Sequence, residues 1–173
     1  EGQSVRYAKK GWLVFGDMQP GPPSRKAQSV AAFFEATGVP YILADDMPRR
    51  LWNKLMLNVG LNQVLAAYGG GYGAVQEPGP LRDMTIAAMR EVMAVANKEG
   101  IPLDEQDIEE WMRLIATLSS EGKPSMQQDV EARRKSEVEL FAGTVIALGK
   151  KHGVPTPVNE ALYQRILEIE RDY

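Results

Sequence analysis

Cysteine is absent from the 173 residues. That absence removes a disulfide scaffold, a thiolate metal site and a cysteine nucleophile. Histidine occurs once, as His152. One histidine excludes a histidine-rich zinc site and a histidine-based facial triad, and no metal is expected. A Ser-His-Asp triad would have to run through His152. That residue lies in Lys150-Lys151-His152-Gly153, which reads as a helix C-terminus. A basic excess is also missing: 20 Lys and Arg stand against 23 Asp and Glu, a net charge of −3. Proteins that grip a phosphate backbone are usually basic, so nucleic acid is not an expected partner. Long hydrophobic runs are lacking too. The long uncharged window, Leu55 to Gln76, holds Asn58, Asn62, Gln63 and five glycines, which no membrane span tolerates. No signal peptide is read at the start, and a reducing, cytoplasmic compartment is expected. The chain opens on Glu1-Gly2-Gln3-Ser4 without an initiator Met, which suggests a piece of something longer.

What is present is ordinary globular composition, 44% hydrophobic and 25% charged. Two regions differ in texture, and the expected class is α+β by content and mainly all-α by mass. Residues 1–46 carry short β-type runs. Val5–Ala8 and Trp12–Phe15 flank Lys9-Lys10-Gly11 as a predicted hairpin. Ser24 caps a helix ending at Gly38, and Tyr41–Ala44 is a further strand. A strand-strand-helix-strand fragment of this size is too small for a domain and reads as the tail of a larger sheet. Residues 47–173 read as helices. The first runs from Pro48 to about Tyr68 and is broken by Gly69-Gly70-Gly71 and Gly73. Others are expected from Pro80 to Lys98, from Asp104 to Leu118, from Ser125 to Lys151, and from about Val158 onward. The glycine cluster is not a phosphate loop, because it follows no strand and has no Lys-Ser/Thr end.

The first of these helices holds an unusual pattern. Lys54, Asn58 and Asn62 fall at i, i+4 and i+8, on one face. Asparagine is a poor residue for a helix interior. Two of them beside a lysine suit a small polar substrate, with a partly desolvated lysine as proton donor. On spacing alone the plainer account is that the amides bond to neighbouring helices and Lys54 is a surface residue. Ser125 offers a hydroxyl at a helix N-terminus, but Ser125-Met-Gln-Gln128 also matches a capping box, and on local sequence the cap is the stronger reading. Glu137 borders an apolar stripe, where it could meet a lysine from another helix or be neutralised by Arg133, Arg134 and Lys135. His152 suits the helix dipole and receives no function.

Together these segments resemble the C-terminal part of the ketopantoate reductase (2-dehydropantoate 2-reductase) family. Leu51-Trp52-Asn53-Lys54-Leu55 through Asn58 and Asn62 is similar to the family's Trp-x-Lys-Leu, Asn, Asn pattern. Pro124-Ser125-Met126-Gln127-Gln128-Asp129, then Arg133 and Ser136-Glu137-Val138-Glu139, is similar to its second motif. The ending, Gly143 through His152-Gly153-Val154-Pro155-Thr156-Pro157, also fits. The resemblance implies a helical substrate domain like that of 6-phosphogluconate dehydrogenase, over residues 47–173. It is preceded over residues 1–46 by the last strands and helix of a truncated Rossmann-type domain. It implies NADPH-dependent reduction of ketopantoate, a small 2-oxo acid, to pantoate in coenzyme A biosynthesis. Lys54 would be the general acid, Asn58 and Asn62 would hold substrate oxygens, and Ser125 would bind the carboxylate. Glu137 would sit by the lysine and the cofactor, as a second catalytic residue that also binds the cofactor. Tyr72 stands where the family often has Asn, which opens a related reductase of another 2-oxo acid as an alternative. A non-catalytic helical dimerisation module is another. The dinucleotide fingerprint is missing, so the chain is expected to carry half a site. Its sheet edge and open cleft wall predict a homodimer or an adhesive surface.

Overall fold

In the first region the local signals act over a few residues. Asp17 accepts hydrogen bonds from the Ser24 amide and hydroxyl, both at 2.7 Å. Ser24 in turn accepts from the Ala27 amide and caps helix α1, Arg25–Thr37. Gly38, at φ 66°, closes that helix in the left-handed conformation. Strand β1, Leu13–Gly16, pairs in parallel with β2, Tyr41–Ala44, with Leu13 opposite Tyr41 and Gly16 opposite Ala44. α1 is therefore the crossover of a β-α-β unit. Phe15, Phe34 and Tyr41 form its aromatic cluster, with ring centroids 5.5 to 6.0 Å apart. This is a computed structural model that describes residues 11–19 and 21–173. The expected strand Val5–Ala8, and hence the hairpin, lies outside the described residues.

The chain divides into two compact units, residues 1–50 and 51–173. The division falls within α2, Met47–Leu57. Beyond it the described residues are helical. The expected helix from Pro48 to Tyr68 is continuous but not uniform. α2 passes through a π turn, Asn58–Asn62, into α3, Gln63–Tyr68. Gly60 lets this turn press on the next long helix, since a Cβ there would lie 2.5 Å from Met89 Cγ. A short helix α4, Gly73–Gln76, follows the glycine break. α5, Pro80–Lys98, opens on proline and buries Thr85, Ala88, Met89, Val92, Val95 and Ala96. α6, Glu105–Ala116, is held by a capping box between Asp104 and Asp107.

The long helix expected from Ser125 to Lys151 is a correction. α7 covers only Ser125–Glu131. The chain then leaves the helix at Ala132, and Arg133 adopts φ 53°, a left-handed conformation that a helix cannot continue through. A second π turn, Glu139–Gly143, leads into α8, Thr144–His152. α9, Pro157–Glu170, completes the unit. Met56, Val59, Val64, Leu65, Met89, Val92, Ile115, Met126, Val138, Val145 and Ile166 form one core, and the two π turns pack against each other within it. No described helix is long and apolar enough to cross a membrane.

Candidate active site

The two π turns face a cavity of about 560 Å³. Its lining includes Lys54, Asn58, Asn62, Ser125 and Glu137, so all five residues singled out in the sequence meet there. Leu57, Leu61, Leu114, Leu118, Leu140 and Phe141 supply the apolar wall, and Tyr72 stands among them.

The wider turn explains how the polar stripe stays aligned. In a uniform α-helix each i+4 step overshoots a full turn by about 40°. A π turn takes more residues per turn, so four residues fall short instead. The overshoot from Lys54 to Asn58 is thus offset from Asn58 to Asn62. Asn58 and Asn62 are half-buried, and their amides form no hydrogen bond with any described residue. The amides of this stretch that bridge to other elements are their neighbours. Asn53 Nδ2 donates to Asp107 Oδ1 at 2.6 Å, and Gln63 reaches Asn159 and Ala142.

Lys54 lies over the Trp111 ring, with Nζ 5.7 Å from its centroid. Trp111 is held by its Nε1, which donates to the Asn53 carbonyl at 3.1 Å and to Asn53 Oδ1. Partial burial disfavours the ammonium and pushes the Lys54 pKa below its usual value. Among the described residues Lys54 has no ion-pair partner, and Glu137 is not within bridging distance of it.

Glu137 is exposed and sits in the bend ahead of the second π turn rather than on a helix. The nearby arginine that pairs is Arg134, with Asp129 at 2.6 Å, so local neutralisation passes Glu137 by. Ser125 is also placed differently from the capping-box reading. Pro124, at φ −69° and ψ 158°, occupies the cap position, and Ser125 is the first helical residue. Gln128 Nε2 turns back to the Lys123 carbonyl at 3.0 Å. The Ser125 hydroxyl is left without a partner among the described residues and lines the cavity. His152 lies elsewhere, paired with Glu99. No group of His, Cys, Asp or Glu among the described residues could hold a metal.

Tyr72 is fixed by its backbone. Its amide donates to the Gly122 carbonyl at 2.9 Å, and the Gly73 amide donates to Ser120 O at 3.0 Å. Gly71 permits this contact, because a Cβ there would lie 2.2 Å from Ser120 O. The glycine cluster therefore breaks the helix and also seats Tyr72 in the wall. Burial raises the Tyr72 pKa, so the phenol stays protonated. The supporting residues Asn53, Trp111 and Gln63 were not singled out in the sequence. The local clue was that Asn53 and Gln63 interrupt the same apolar helix as the stripe.

A family profile described as "Ketopantoate reductase PanE/ApbA C terminal" matches residues 46–170. A 2-dehydropantoate 2-reductase of Vibrio cholerae is 30% identical over 162 residues, covering 92% of this chain and 54% of that protein. The crystal structure of a PanE/ApbA family ketopantoate reductase from Ralstonia eutropha superposes with a TM-score of 0.82 at 29% identity. It covers 96% of this chain and 54% of that one. A D-mandelate dehydrogenase, solved with NADH and anilino(oxo)acetate, shares the fold at a TM-score of 0.83 and 21% identity. That match covers 97% of this chain and 70% of that one. The chain thus spans about half the length of the reductases it matches. The profile match takes in the lysine, both asparagines, the serine and the glutamate, and this chain belongs to the ketopantoate reductase PanE/ApbA C-terminal family.

Proposed function

We propose that this chain is the substrate-binding, proton-donating half of an NADPH-dependent 2-dehydropantoate 2-reductase. In this reading residues 47–173 are a helical substrate domain of the 6-phosphogluconate dehydrogenase type. Residues 1–46 are the last part of a Rossmann-type domain whose remainder the chain does not carry. The observation that carries the reading is a convergence of unpartnered polar groups. A partly desolvated ammonium, two half-buried amides and a hydroxyl all line one cavity without a hydrogen-bond partner among the described residues. Such a cluster, hydrated when the cavity is empty, offers converging hydrogen bonds that a small polar ligand can take up in place of water.

Each then has a role in reducing a 2-oxo acid. NADPH, when bound, supplies the hydride. As C2 accepts it, the carbonyl π bond opens and charge develops on oxygen. Lys54 Nζ gives its proton to that oxygen and is left as a neutral amine, a transfer eased by the lowered pKa. Asn58 and Asn62 donate N–H bonds to the substrate's carbonyl and hydroxyl oxygens and fix the face presented. The Ser125 hydroxyl donates to the carboxylate. Glu137 offers an exposed carboxylate suited to accept from ribose hydroxyls of the cofactor. The chain has no glycine-rich strand-turn-helix for the pyrophosphate, so that contact belongs to the remainder of the domain.

The test is NADPH oxidation by the complete protein with ketopantoate, followed by loss of the reduced-nicotinamide absorbance. Ready turnover supports the reading. A folded, NADPH-binding protein without turnover sinks it. A second reading, reduction of another 2-oxo acid, is favoured by one observation, the Tyr72 phenol in the cavity wall. Under it kcat/KM for a different 2-oxo acid exceeds that for ketopantoate, and Tyr72→Asn reverses the order.

A further inference from the structure

The two π turns raise a question of hydrogen-bond accounting. An extra residue in a helical ladder shifts the bonds from i−4 to i−5 and strands backbone groups at its edges. Buried backbone groups must find other partners. In the second turn the Gly143 amide reaches the Val138 carbonyl, five residues back, at 3.1 Å. The Ala142 amide donates instead to Gln63 Oε1, at 3.0 Å. In the first turn the Val59 carbonyl accepts from Gln63 Nε2, at 2.9 Å. One side chain thus serves both turns.

Gln63 is fully buried. Its other N–H goes to Asn159 Oδ1 on α9, at 3.2 Å. Asn159 Nδ2 donates to Glu91 Oε2 on α5, at 2.7 Å, and Glu91 also accepts the Val158 and Asn159 amides at the start of α9. The network fixes the sense of the Gln63 amide, because its oxygen must face an N–H and its nitrogen must face two oxygens. A leucine of similar size would leave the Ala142 amide unpaired in the core and remove the side-chain donor to Val59 O.

What the turns carry gives this network its consequence. The first presents Asn58, Leu61 and Asn62 to the cavity, and the second presents Leu140 and Phe141 and begins two residues after Glu137. We propose that Gln63 is a positioning residue: its amide clasps the two π turns and so sets the spacing between the asparagine wall and the Glu137–Phe141 wall of the cavity. It touches no substrate itself. The inference rests on the proposed reductase reading for its effect on turnover, but not for its effect on the turns.

The test uses Gln63→Leu, with Gln63→Asn as a second variant. The asparagine keeps an amide in the core but is one methylene too short to reach both turns. Amide hydrogen exchange and the side-chain amide resonances of Asn58 and Asn62 are read by NMR on the full chain. Steady-state rates are read on the complete enzyme. The Ala142 amide is expected to exchange roughly tenfold faster, relative to Val92 and Val95 in α5. The Asn58 and Asn62 resonances move, and kcat falls roughly tenfold to a hundredfold with a smaller change in KM. The proposal is overturned if Ala142 keeps its protection. It is also overturned if protection is lost while the asparagine resonances and kcat stay unchanged, since Gln63 would then only stabilise the core. If the unaltered complete protein fails to reduce ketopantoate, the substrate reading falls, and exchange with the asparagine resonances decides the clasp alone.

Discussion

In the proposed reduction, Lys54 is the residue on which the chemistry turns. Its ammonium lies over Trp111, partly out of water and without a carboxylate partner among the described residues. In the complete enzyme Lys54→Ala is expected to lower kcat by roughly a hundredfold to ten-thousandfold, the usual range for a positioned acid. The thermal midpoint should barely move, because the ammonium keeps contact with solvent and forms no ion pair among the described residues. Lys54→Arg should not rescue turnover, since a guanidinium does not give up its proton at accessible pH. The pH profile follows from the direction of the shift. The acid form is the ammonium, so reduction is supported below the folded-state pKa and lost as pH rises through it. Burial lowers that pKa, so the falling limb should lie at lower pH than an ordinary lysine would give. A limb at or above the ordinary lysine range would remove Lys54 from the acid's role. The support behind it is open to test as well. Asn53 links Asp107 on α6 to the Trp111 indole. Asn53→Ala should cost about 1–3 kcal/mol in denaturant unfolding, as the loss of part-buried hydrogen bonds does, and should release the indole beneath Lys54.

At the scale of elements, legibility depended on how far each cause reaches along the chain. Caps and stops act within four residues, so α1 with Ser24 and Gly38, and α6 with Asp104, lie close to where the pattern put them. The stripe at 54, 58 and 62 was visible because a helix repeats over a similar distance. The π turns were not. A single extra residue leaves the apolar rhythm of a helix nearly intact, and the groups that stabilise it come from far away. Gln63 meets partners at positions 142 and 159, which no local pattern announces. The break after Glu131 was hidden for the same reason, since the apolar period runs on through Val130 and Val138 while Arg133 turns left-handed. The glycine cluster reads as a break, but its second use depends on the distant Ser119–Gly122 loop that Gly71 and Gly73 pack against. That use gives a direct measurement. Gly71→Ala places a methyl where Ser120 O now sits, a clash with backbone that no rotamer relieves. It should destabilise the fold by about 1–3 kcal/mol in denaturant unfolding, the range for overpacking. It should also change the tyrosine environment at Tyr72, read by its ring resonances. Unchanged stability would mean that the loop from Ser119 to Gly122 yields freely.

At the scale of the whole molecule the two units are unequal. Residues 51–173 have a continuous core of their own. The first unit, among the described residues, has a parallel sheet of two strands, and Leu13, Val14 and Ile42 on it are more than 40% exposed. Phe33 on the crossover helix is 62% exposed. Parallel strands are ordinarily covered on both faces, and apolar residues left bare on them are a docking surface or an aggregation hazard. Coverage of 54% of the related reductases fits the proposal that the rest of a nucleotide-binding sheet lies against these strands. The consequence is measurable on residues 1–173 as they stand. The isolated chain should unfold through a cooperative transition from its helical unit, yet bind an apolar fluorescent dye and self-associate as concentration rises. It should oxidise no NADPH with ketopantoate, while the complete protein stays dye-free and turns over. Charged replacements at Val14 and Ile42 should reduce self-association of the isolated chain, and in the complete protein should impair folding of the sheet they would then interrupt. Turnover by the isolated chain would show that the cofactor needs nothing beyond these residues, and the half-site reading would fall.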